Sequence, residues 1–378
     1  MRLLLASCAI ANFLTFACLP ALAKDKVSDE PIVIGQSAPF SGPSAQLGTD
    51  FNLGARTYFQ MVNENGGVHG RKIELRAKDD AYDPSLTVQN TNELLEKDHV
   101  LALFGYVGTS TTLAALPVAT AAQVPLFAPV TGAEALRQPF NRNVFNIRAG
   151  YIDEAEYIVD QLSITGIKNV AVFYQNDAYG KAGLDAMVKA TAKRGQQVSA
   201  TATVERHSTE VDAAAKTLLA ARPGAIVLIS SYTSSAAMVK EMKKNGYTGQ
   251  FVSVSFVGGK ALADELGSVG AGVMVSEVVP FPWGEATPIQ REFAGAMRKA
   301  GVPRYSFGSM EGFVAAKTLV EGLRRAGRDV TRAKLIAALE TMNNWDAGGF
   351  RVSFTPGNHN GSRSVEMTMI GAGGRFVH

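Results

Sequence analysis

Short apolar runs alternate along this chain with longer stretches in which apolar residues recur every three or four positions. The runs have the length of buried strands, and the longer stretches have the periodicity of helices that pack on one face. This alternation is typical of β-α-β units, in which helices cover a parallel sheet. In the first half it predicts strands at 31–37, 72–79, 100–105, 125–128 and 144–148, and helices at 47–64, 84–97 and 110–123.

The same alternation then begins again. It predicts helices at 154–165, 180–195, 211–221 and 234–245, and strands at 169–174, 198–204, 225–230, 251–255 and 272–279. Three further helices follow at 288–300, 310–326 and 331–341, and a β-rich tail occupies 349–378. The sequence therefore predicts an α/β fold with two doubly wound lobes.

The order of these elements indicates lobes that are discontinuous in sequence. We expect lobe 1 to comprise 24–147 and 280–347, and lobe 2 to comprise 148–279 and 348–378. The chain then crosses between lobes near Ile147-Arg148, Val279-Pro280 and Gly348-Gly349, and such a three-segment hinge permits closure around a ligand. Two independent domains in series are the alternative, because periodicity alone does not distinguish the two arrangements.

The N-terminal 23 residues have the features of a cleaved signal peptide. Met1-Arg2 gives a positive start, residues 3–19 are almost wholly apolar, and Ala21-Leu22-Ala23 offers small residues at both positions that a signal peptidase reads. We expect cleavage after Ala23 and export. A membrane anchor is one alternative, since the apolar stretch is at the short limit for spanning roughly 30 Å of hydrocarbon. Lipid attachment at Cys18 is another, although the residues before it make a poor lipobox.

Composition narrows the class of protein further. Both cysteines, Cys8 and Cys18, lie in the predicted signal peptide, so the mature chain has no cysteine for disulfides, metal binding or nucleophilic chemistry. The remaining 355 residues (378 minus 23) are enough for two domains with ample core. The net charge of the sequence is only +3, and basic residues do not cluster with aromatic ones as nucleic-acid binding would require.

Motifs of common enzyme classes do not occur in the sequence. It lacks a Gly-x-Ser-x-Gly elbow, a phosphate-binding loop, a dinucleotide fingerprint and a His-Glu-x-x-His pair. The five histidines are scattered through polar, turn-like segments. Asp79-Asp80 could serve as acid/base or metal ligands, but beside Asp83-Pro84 they are more simply caps of a turn and a helix. We therefore expect neither catalysis nor a metal or cofactor.

The loops that follow the strands are the candidate ligand-binding segments, because ligands of open α/β sheets bind beyond the carboxyl ends of strands. The loop after strand 100–105 opens a helix with small hydroxyl residues, where free backbone N–H groups favour an anion. Plain N-capping is the alternative, but it needs a single hydroxyl. The candidate residues of this loop are Tyr106, Thr109, Ser110 and Thr111.

Equivalent loops after other strands offer the rest of a pocket wall. Those of the first half combine glycine or proline turns with small side chains, and those of the second half carry aromatic residues suited to closing over an apolar group. The candidates are Leu47, Val130, Thr131, Tyr179, Tyr232, Ser255 and Phe256.

Taken in order, these segments resemble the periplasmic Leu/Ile/Val-binding protein family, the type I solute-binding proteins of ABC importers. The likeness is carried by SGPSAQLG, VNENGGVHGRKIEL, KDDAYDP, GYVGTSTT, VPLFAPVTGA and NDAYGKAG, and it runs from Ile32 to Phe376. It implies the type I periplasmic binding protein fold and a small-molecule carboxylate ligand held between the lobes. It also implies a monomer in the periplasm that delivers its ligand to a membrane permease.

The resemblance also implies roles for individual residues. The ligand carboxylate would bind mainly to lobe 1, through the hydroxyls of Thr111, with Ser110, and of Thr131. The positions that match other ligand contacts of the family are Leu47, Val130, Tyr179 and Tyr232.

One departure from the family concerns the ligand's amine. Amino-acid binders of the family have an acidic residue in lobe 2, whereas the matching strand end here reads Val254-Ser255-Phe256-Val257. Because a buried ammonium without a countercharge is costly, we expect an amine-free aromatic or aliphatic acid. Glu311 or Glu277 could supply the charge, which keeps branched-chain amino acids as the alternative, and a ligand sensor on the same fold is another. The family's cysteine pair is also absent, and Tyr82 stands in that segment.

Overall fold

The computed structural model describes residues 30–378. The predicted signal peptide, with its cleavage after Ala23, lies outside the described residues. Within 30–378, no helix combines the length and the apolar character needed to cross a membrane. The predicted architecture, two doubly wound α/β lobes, is the one observed.

The first lobe is built on a parallel sheet. Its strands are β1 (Ile32–Ala38), β2 (Ile73–Asp79), β3 (Ala102–Phe104), β4 (Leu126–Phe127) and β5 (Val144–Phe145), and its helices are α1 (Ala45–Glu64), α2 (Pro84–Glu96) and α3 (Thr109–Ala121). The strand order is β2-β1-β3-β4-β5. β1 is buried along most of its length because helices cover both faces of the sheet.

The second lobe repeats this plan. Its elements are α4 (Tyr151–Ile164), β6 (Val170–Gln175), α5 (Ala178–Ala192), β7 (Val198–Val204), α6 (Asp212–Ala221), β8 (Ala225–Ile229), α7 (Tyr232–Lys244), β9 (Gln250–Ser253), α8 (Gly259–Leu266) and β10 (Met274–Glu277). The chain then forms α9 (Pro288–Lys299), α10 (Phe307–Ala326), α11 (Arg332–Leu339), β11 (Trp345–Asp346), β12 (Arg351–Val352), β13 (Glu366–Ile370) and β14 (Phe376–Val377). The second sheet has the order β14-β13-β10-β9-β8-β6-β7, with β13 antiparallel to β10.

The late helices pack on the first lobe. α10 crosses α1 so closely that glycine is required on both helices. A Cβ on Gly54 would stand 1.8 Å from the carbonyl oxygen of Ser309, and one on Gly312 would stand 2.0 Å from that of Phe51. α11 is tied to the same lobe by Arg332, which donates to the carbonyl oxygen of Val100.

The segment between β12 and β13 also packs on the first lobe. Phe354 meets the ring of Phe145 edge-on at 5.2 Å, and the backbone of Asn146 bonds to both His359 and Gly361. We therefore infer that the third crossing lies between Gly361 and Glu366, later than the expected Gly348-Gly349. The paired glycines form the turn between β11 and β12, and apolar contacts hold the following residues on the first lobe.

An aromatic group joins the lobes near the second crossing. Trp283 stacks on Phe376 of β14 with ring centroids 5.6 Å apart, and meets Phe307 of α10 edge-on at 5.4 Å. Phe307 and Phe376 also touch each other, at 5.5 Å. This group, the aromatic bridge, connects a helix on the first lobe to the outermost strand of the second.

Candidate functional site

A cavity lies between the lobes, where the loops after the strands of both sheets face each other. Its wall is formed by Leu47, Asp50, Phe51, Val130, Arg148, Ser255, Phe256, Gly258, Gly259, Lys260, Glu277, Ser306, Phe307, Gly308 and Glu311. The free volume of the cavity is about 30 Å³. This is room for on the order of two waters. The lobes are therefore closed, and a metabolite enters only after they separate or side chains move.

The structure brings four of the predicted site residues to this wall. They are Leu47, Val130, Ser255 and Phe256. Tyr232 lies in a neighbouring pocket that shares Asp50 and Lys260 with the cavity. Tyr106 lies elsewhere, fully buried in the core of the first lobe, with its hydroxyl 3.0 Å from that of Thr91. Ligand contact at each of these positions stays a prediction.

The hydroxyls that follow β3 and β4 form a chain beside the cavity. Thr109 Oγ1 and Thr131 Oγ1 lie 2.6 Å apart, and the Thr131 hydroxyl bonds that of Tyr151 at 3.3 Å. The two threonines meet because β3 and β4 are neighbouring parallel strands. The Thr111 hydroxyl instead donates to the carbonyl oxygen of Val107, four residues earlier in the chain. Thr109, rather than Thr111, thus reaches the residues of the cleft.

Arg148 is the centre of the charged part of the site. It stands at the first crossing and is only 1% exposed. Its Nη1 lies 3.5 Å from Glu311 Oε1, its Nη2 lies 3.7 Å from Glu154 Oε1, and Nη2 also donates to Ser255 Oγ. Burial disfavours the charged form of Arg148, but Glu311 and Glu154 outweigh it and raise the pKa. One guanidinium thereby joins carboxylates from both lobes, because Glu311 belongs to α10 and Glu154 to α4.

The three carboxylates of this cluster differ in how they are satisfied. Glu154 is fully buried and accepts hydrogen bonds from the Ser255 amide at 2.8 Å and the Ser276 hydroxyl at 2.6 Å. Burial raises the pKa of Glu311 against the opposing effect of Arg148. Burial, and then Glu154, raise the pKa of Glu277 well above its ordinary value. The Oε1 atom of Glu277 has no hydrogen-bond partner among residues 30–378.

This carboxylate-rich wall is not arranged as a metal site. Among the residues that the structure describes, no group of three or more His, Cys, Asp or Glu side chains could hold a metal ion. A free carboxylate oxygen beside a cavity is instead suited to accept a hydrogen bond from a ligand, since buried polar atoms are nearly always paired.

Aromatic side chains from both lobes meet between the lobes. Tyr179 lies 5.7 Å from Tyr151 and 4.7 Å from Phe256, and Tyr82 of the first lobe stacks on Phe256 at 6.4 Å, all between ring centroids. Burial raises the pKa of Tyr151 to about 12. The hydroxyls of Tyr82 and Tyr179 are buried and lack a hydrogen-bond partner within the described chain.

Contacts across the rim hold the lobes together on the side of Tyr82. Asp177, which caps α5, accepts a hydrogen bond from Ser110 of the first lobe at 3.1 Å. Arg206 pairs with Asp177 at 2.9 Å and donates to the carbonyl oxygen of Tyr82 at 3.1 Å. Ser110 therefore links the lobes through Asp177, and its predicted contact with a ligand stays a prediction.

Replacing Arg206 by alanine should shift the free protein toward an open state by about 1 kcal/mol, because it removes a charged contact between lobes from a partly exposed site. Small-angle X-ray scattering should report a larger radius of gyration. Arg194→Ala is the matched control, since Arg194 pairs with Asp160 inside the second lobe. Equal radii for Arg206→Ala and Arg194→Ala would show that the rim contact does not hold the lobes closed.

Several residues of the site were not among those predicted to contact a ligand. The sequence prediction assigned Arg148 to a crossing between the lobes and gave it no ligand-binding role. It likewise assigned Tyr151 and Glu154 only to positions at or near the start of a helix. The sequence feature that indicates this cluster is a single arginine inside the mostly apolar segment 144–150. An arginine in such a segment is buried, and a buried arginine needs carboxylate partners. Its main partner across the cleft, Glu311, is 163 positions away (311 minus 148), so the pairing depends on the fold.

Comparison with known proteins gives consistent matches over the described chain. A family model described as periplasmic binding protein matches residues 31–375. Leu/Ile/Val-binding protein homolog 7 of Brucella abortus is 27% identical, and the match covers 96% of this chain and 94% of that protein.

Solved structures match over similar lengths. A possible leucine/isoleucine/valine-binding protein from Rhodopirellula baltica superposes with a TM-score of 0.89 at 30% identity, covering 93% of this chain and 97% of that one. A substrate-binding periplasmic protein from Ralstonia solanacearum superposes with a TM-score of 0.86 at 32% identity, covering 92% and 99%.

Proposed function

Because this chain belongs to the periplasmic binding protein family, we propose that it is the solute-binding component of an ABC importer and captures a small carboxylate-bearing metabolite between its lobes. The family consists of substrate-binding proteins and implies export to the periplasm. The observation that carries the proposal is the closed cavity between the lobes, whose wall combines apolar side chains with a buried cation, Arg148, and buried carboxylates.

The carboxylate of the ligand is assigned to the first lobe. Thr109 stands at the N-terminus of α3, where the helix dipole and the first backbone N–H groups favour an anion. Thr131 lies 2.6 Å from it and supplies a second hydroxyl. The role that the family resemblance gives to Thr111 is therefore transferred to Thr109, because the Thr111 hydroxyl is bonded inside its helix.

A specific observation favours an amine on the same ligand. The expectation of an amine-free acid rested on the lack of an acidic residue near Ser255-Phe256. In the folded chain, Glu154 binds Ser255, and Glu277 lines the cavity with a buried oxygen that no other described residue engages. A ligand ammonium would supply the missing donor and offset the excess of carboxylates over cations around Arg148. We therefore favour an α-amino acid, with the amine-free acid as the second candidate.

We propose that the protein captures its ligand in order to deliver it to a membrane permease. Leu47, Phe51, Val130, Phe256 and Phe307 give the cavity an apolar side that suits an aliphatic or aromatic side chain. A ligand sensor on the same fold would have the same site, and it differs only in the partner that reads the closed form.

The test is a thermal-shift and calorimetric screen of protein that has been unfolded and refolded to remove co-purified ligand. L-Leucine, L-valine and L-phenylalanine are compared with isovalerate and phenylacetate, which share their side chains but lack the amine. We expect at least one amino acid to bind below 10 µM, which corresponds to about 7 kcal/mol, without conversion to product. Binding of the acids alone would restore the amine-free candidate. Failure of all five, or their turnover, would refute the proposed function.

A further inference from the structure

Tyr82 is held in the cleft by a loop with an unusual backbone. Ala81 and Tyr82 both adopt left-handed conformations, with φ of 47° and 65°, which residues with a Cβ rarely adopt. Asp79 accepts a hydrogen bond from the Ala81 amide, and the buried Asp80 accepts one from the Tyr82 amide at 2.9 Å. The loop thereby fixes the direction of the Tyr82 side chain.

The ring of Tyr82 covers the start of α3 and contacts the second lobe. A Cβ on Gly108 would stand 2.4 Å from the ring, so glycine is required where the helix begins. On its other sides the ring packs against Phe256 and His207, with centroids 6.4 Å and 6.0 Å away, and Arg206 lies over it at 5.2 Å. Tyr82 therefore lies between the lobes, against Gly108, the residue before Thr109.

The hydroxyl of Tyr82 has no hydrogen-bond partner in the described chain that would explain its burial. It is buried, and within residues 30–378 no group bonds to it. The Tyr179 hydroxyl, from the opposite lobe, is also buried without a partner in the described chain. Burial, and then Tyr151 and Tyr82, raise the pKa of Tyr179. The Tyr82 ring lies against Gly108, the residue before Thr109. Tyr179 packs on Tyr151, whose hydroxyl bonds that of Thr131. Native proteins seldom leave such buried hydroxyls unpaired without a purpose.

We propose that Tyr82 is a specificity-determining residue that donates its phenolic hydroxyl to the carboxylate of the ligand, opposite Tyr179. This rests on the proposed function. A carboxylate has enough acceptor positions for both phenols and the two threonines, and hydrogen bonds to an ionised acceptor are stronger than neutral ones. Because one donor comes from each lobe, both are satisfied only when the lobes are closed on a carboxylate.

The experiment compares Tyr82→Phe with Tyr247→Phe. Tyr247 is the matched control because its hydroxyl is also buried and without a partner in the described chain, but its ring packs on Phe251 within the second lobe, whereas the Tyr82 ring packs on Phe256 of the opposite lobe. Without ligand, neither variant should lower the melting temperature, because neither loses a hydrogen bond. In calorimetry with the five probes of the screen, Tyr82→Phe should weaken every probe that wild type binds by about 10-fold or more, and Tyr247→Phe by less than 2-fold.

Two results would overturn the role of Tyr82. If Tyr82→Phe alone lowers the melting temperature, its hydroxyl has a structural partner. If Tyr82→Phe binds as tightly as wild type, the carboxylate does not reach it, although the protein remains a solute receptor. Wild type that binds none of the five probes refutes the proposed function itself, and the role of Tyr82 falls with it.

Discussion

Replacement of Arg148 by methionine should destabilise the protein by roughly 3–5 kcal/mol, the largest effect that we expect from a single substitution in the site. Methionine has a similar length and fills the space, so the loss comes from charge. Glu154 and Glu311 would remain buried without the guanidinium that lies between them. Urea unfolding followed by circular dichroism measures the change.

The loss should depend on pH. Burial already raises the pKa of Glu311 in the folded protein, and Arg148 opposes that rise. Without Arg148 the folded-state pKa rises further above the unfolded value. The variant therefore loses least stability at a pH below the unfolded-state pKa of Glu311. It loses most at a pH above the folded-state pKa. We therefore expect a larger deficit at pH 8 than at pH 5.

Two further variants separate charge from packing. Lys299→Met is the control, because Lys299 forms a pair with Glu64 in which both side chains are exposed, and its loss should leave the urea midpoint nearly unchanged. Adding Glu154→Gln and Glu311→Gln to Arg148→Met should recover much of the stability, since the uncompensated charges are gone. A loss below 1 kcal/mol for Arg148→Met alone would mean that the cluster is not a buried charge network.

Glu277→Gln should weaken the binding of an amino acid about 30-fold or more, which corresponds to about 2 kcal/mol. The substitution keeps the shape of the side chain but removes the charge that would face the ligand ammonium. Isovalerate or phenylacetate, where bound, should keep or improve its affinity. Calorimetry on both ligand types reads the difference directly.

The pH dependence gives a second readout of the same residue. In the free protein burial raises the pKa of Glu277, so at any pH below that raised pKa an arriving ammonium must displace a proton. Affinity for an amino acid should therefore rise with pH until the raised pKa is passed, and Glu277→Gln should abolish this rise. Glu366→Gln is the control, because Glu366 is the cross-strand neighbour of Glu277 but does not line the cavity. Equal affinities in wild type and Glu277→Gln would leave the amine-free acid as the ligand.

Without ligand, Glu277→Gln should be at least as stable as wild type at neutral pH. Folding takes a proton onto Glu277 wherever the pH lies between its unfolded and folded pKa, so wild-type stability falls through that window as pH rises. Glutamine does not titrate and removes this dependence.

Most of the fold was accessible from the sequence because strands and helices have different apolar periods. The strand at 198–204 was predicted with the bounds that the structure has, and the family fold was confirmed. Helix α8 is not among the predicted helices, since eight residues carry little periodicity. Gly348-Gly349 was expected at the third crossing because it has the composition of a linker. The contact of Phe354 with Phe145, from which we infer a later crossing, is visible only in three dimensions.

The candidate site was accessible only in part. Thr109 and Thr131 follow adjacent strands, so their proximity follows from β-sheet order. Thr109 and Thr111 lie about 200° apart around their helix, and helix phase, which the loop sequence does not fix, decides which one reaches the cleft. The pairing of Arg148 with Glu311 depends on α10 returning to the first lobe, which no local pattern indicates.

The aromatic bridge near the second crossing gives this protein an intrinsic optical signal. Trp283 lies between Phe307 on the first lobe and Phe376 on the second and is 36% exposed. Separation of the lobes would change the solvation of its indole, and with it the fluorescence emission. The second tryptophan of the chain, Trp345, lies in the short hairpin at the edge of the first lobe. Emission from Trp283 can therefore follow opening and closing in unlabelled protein.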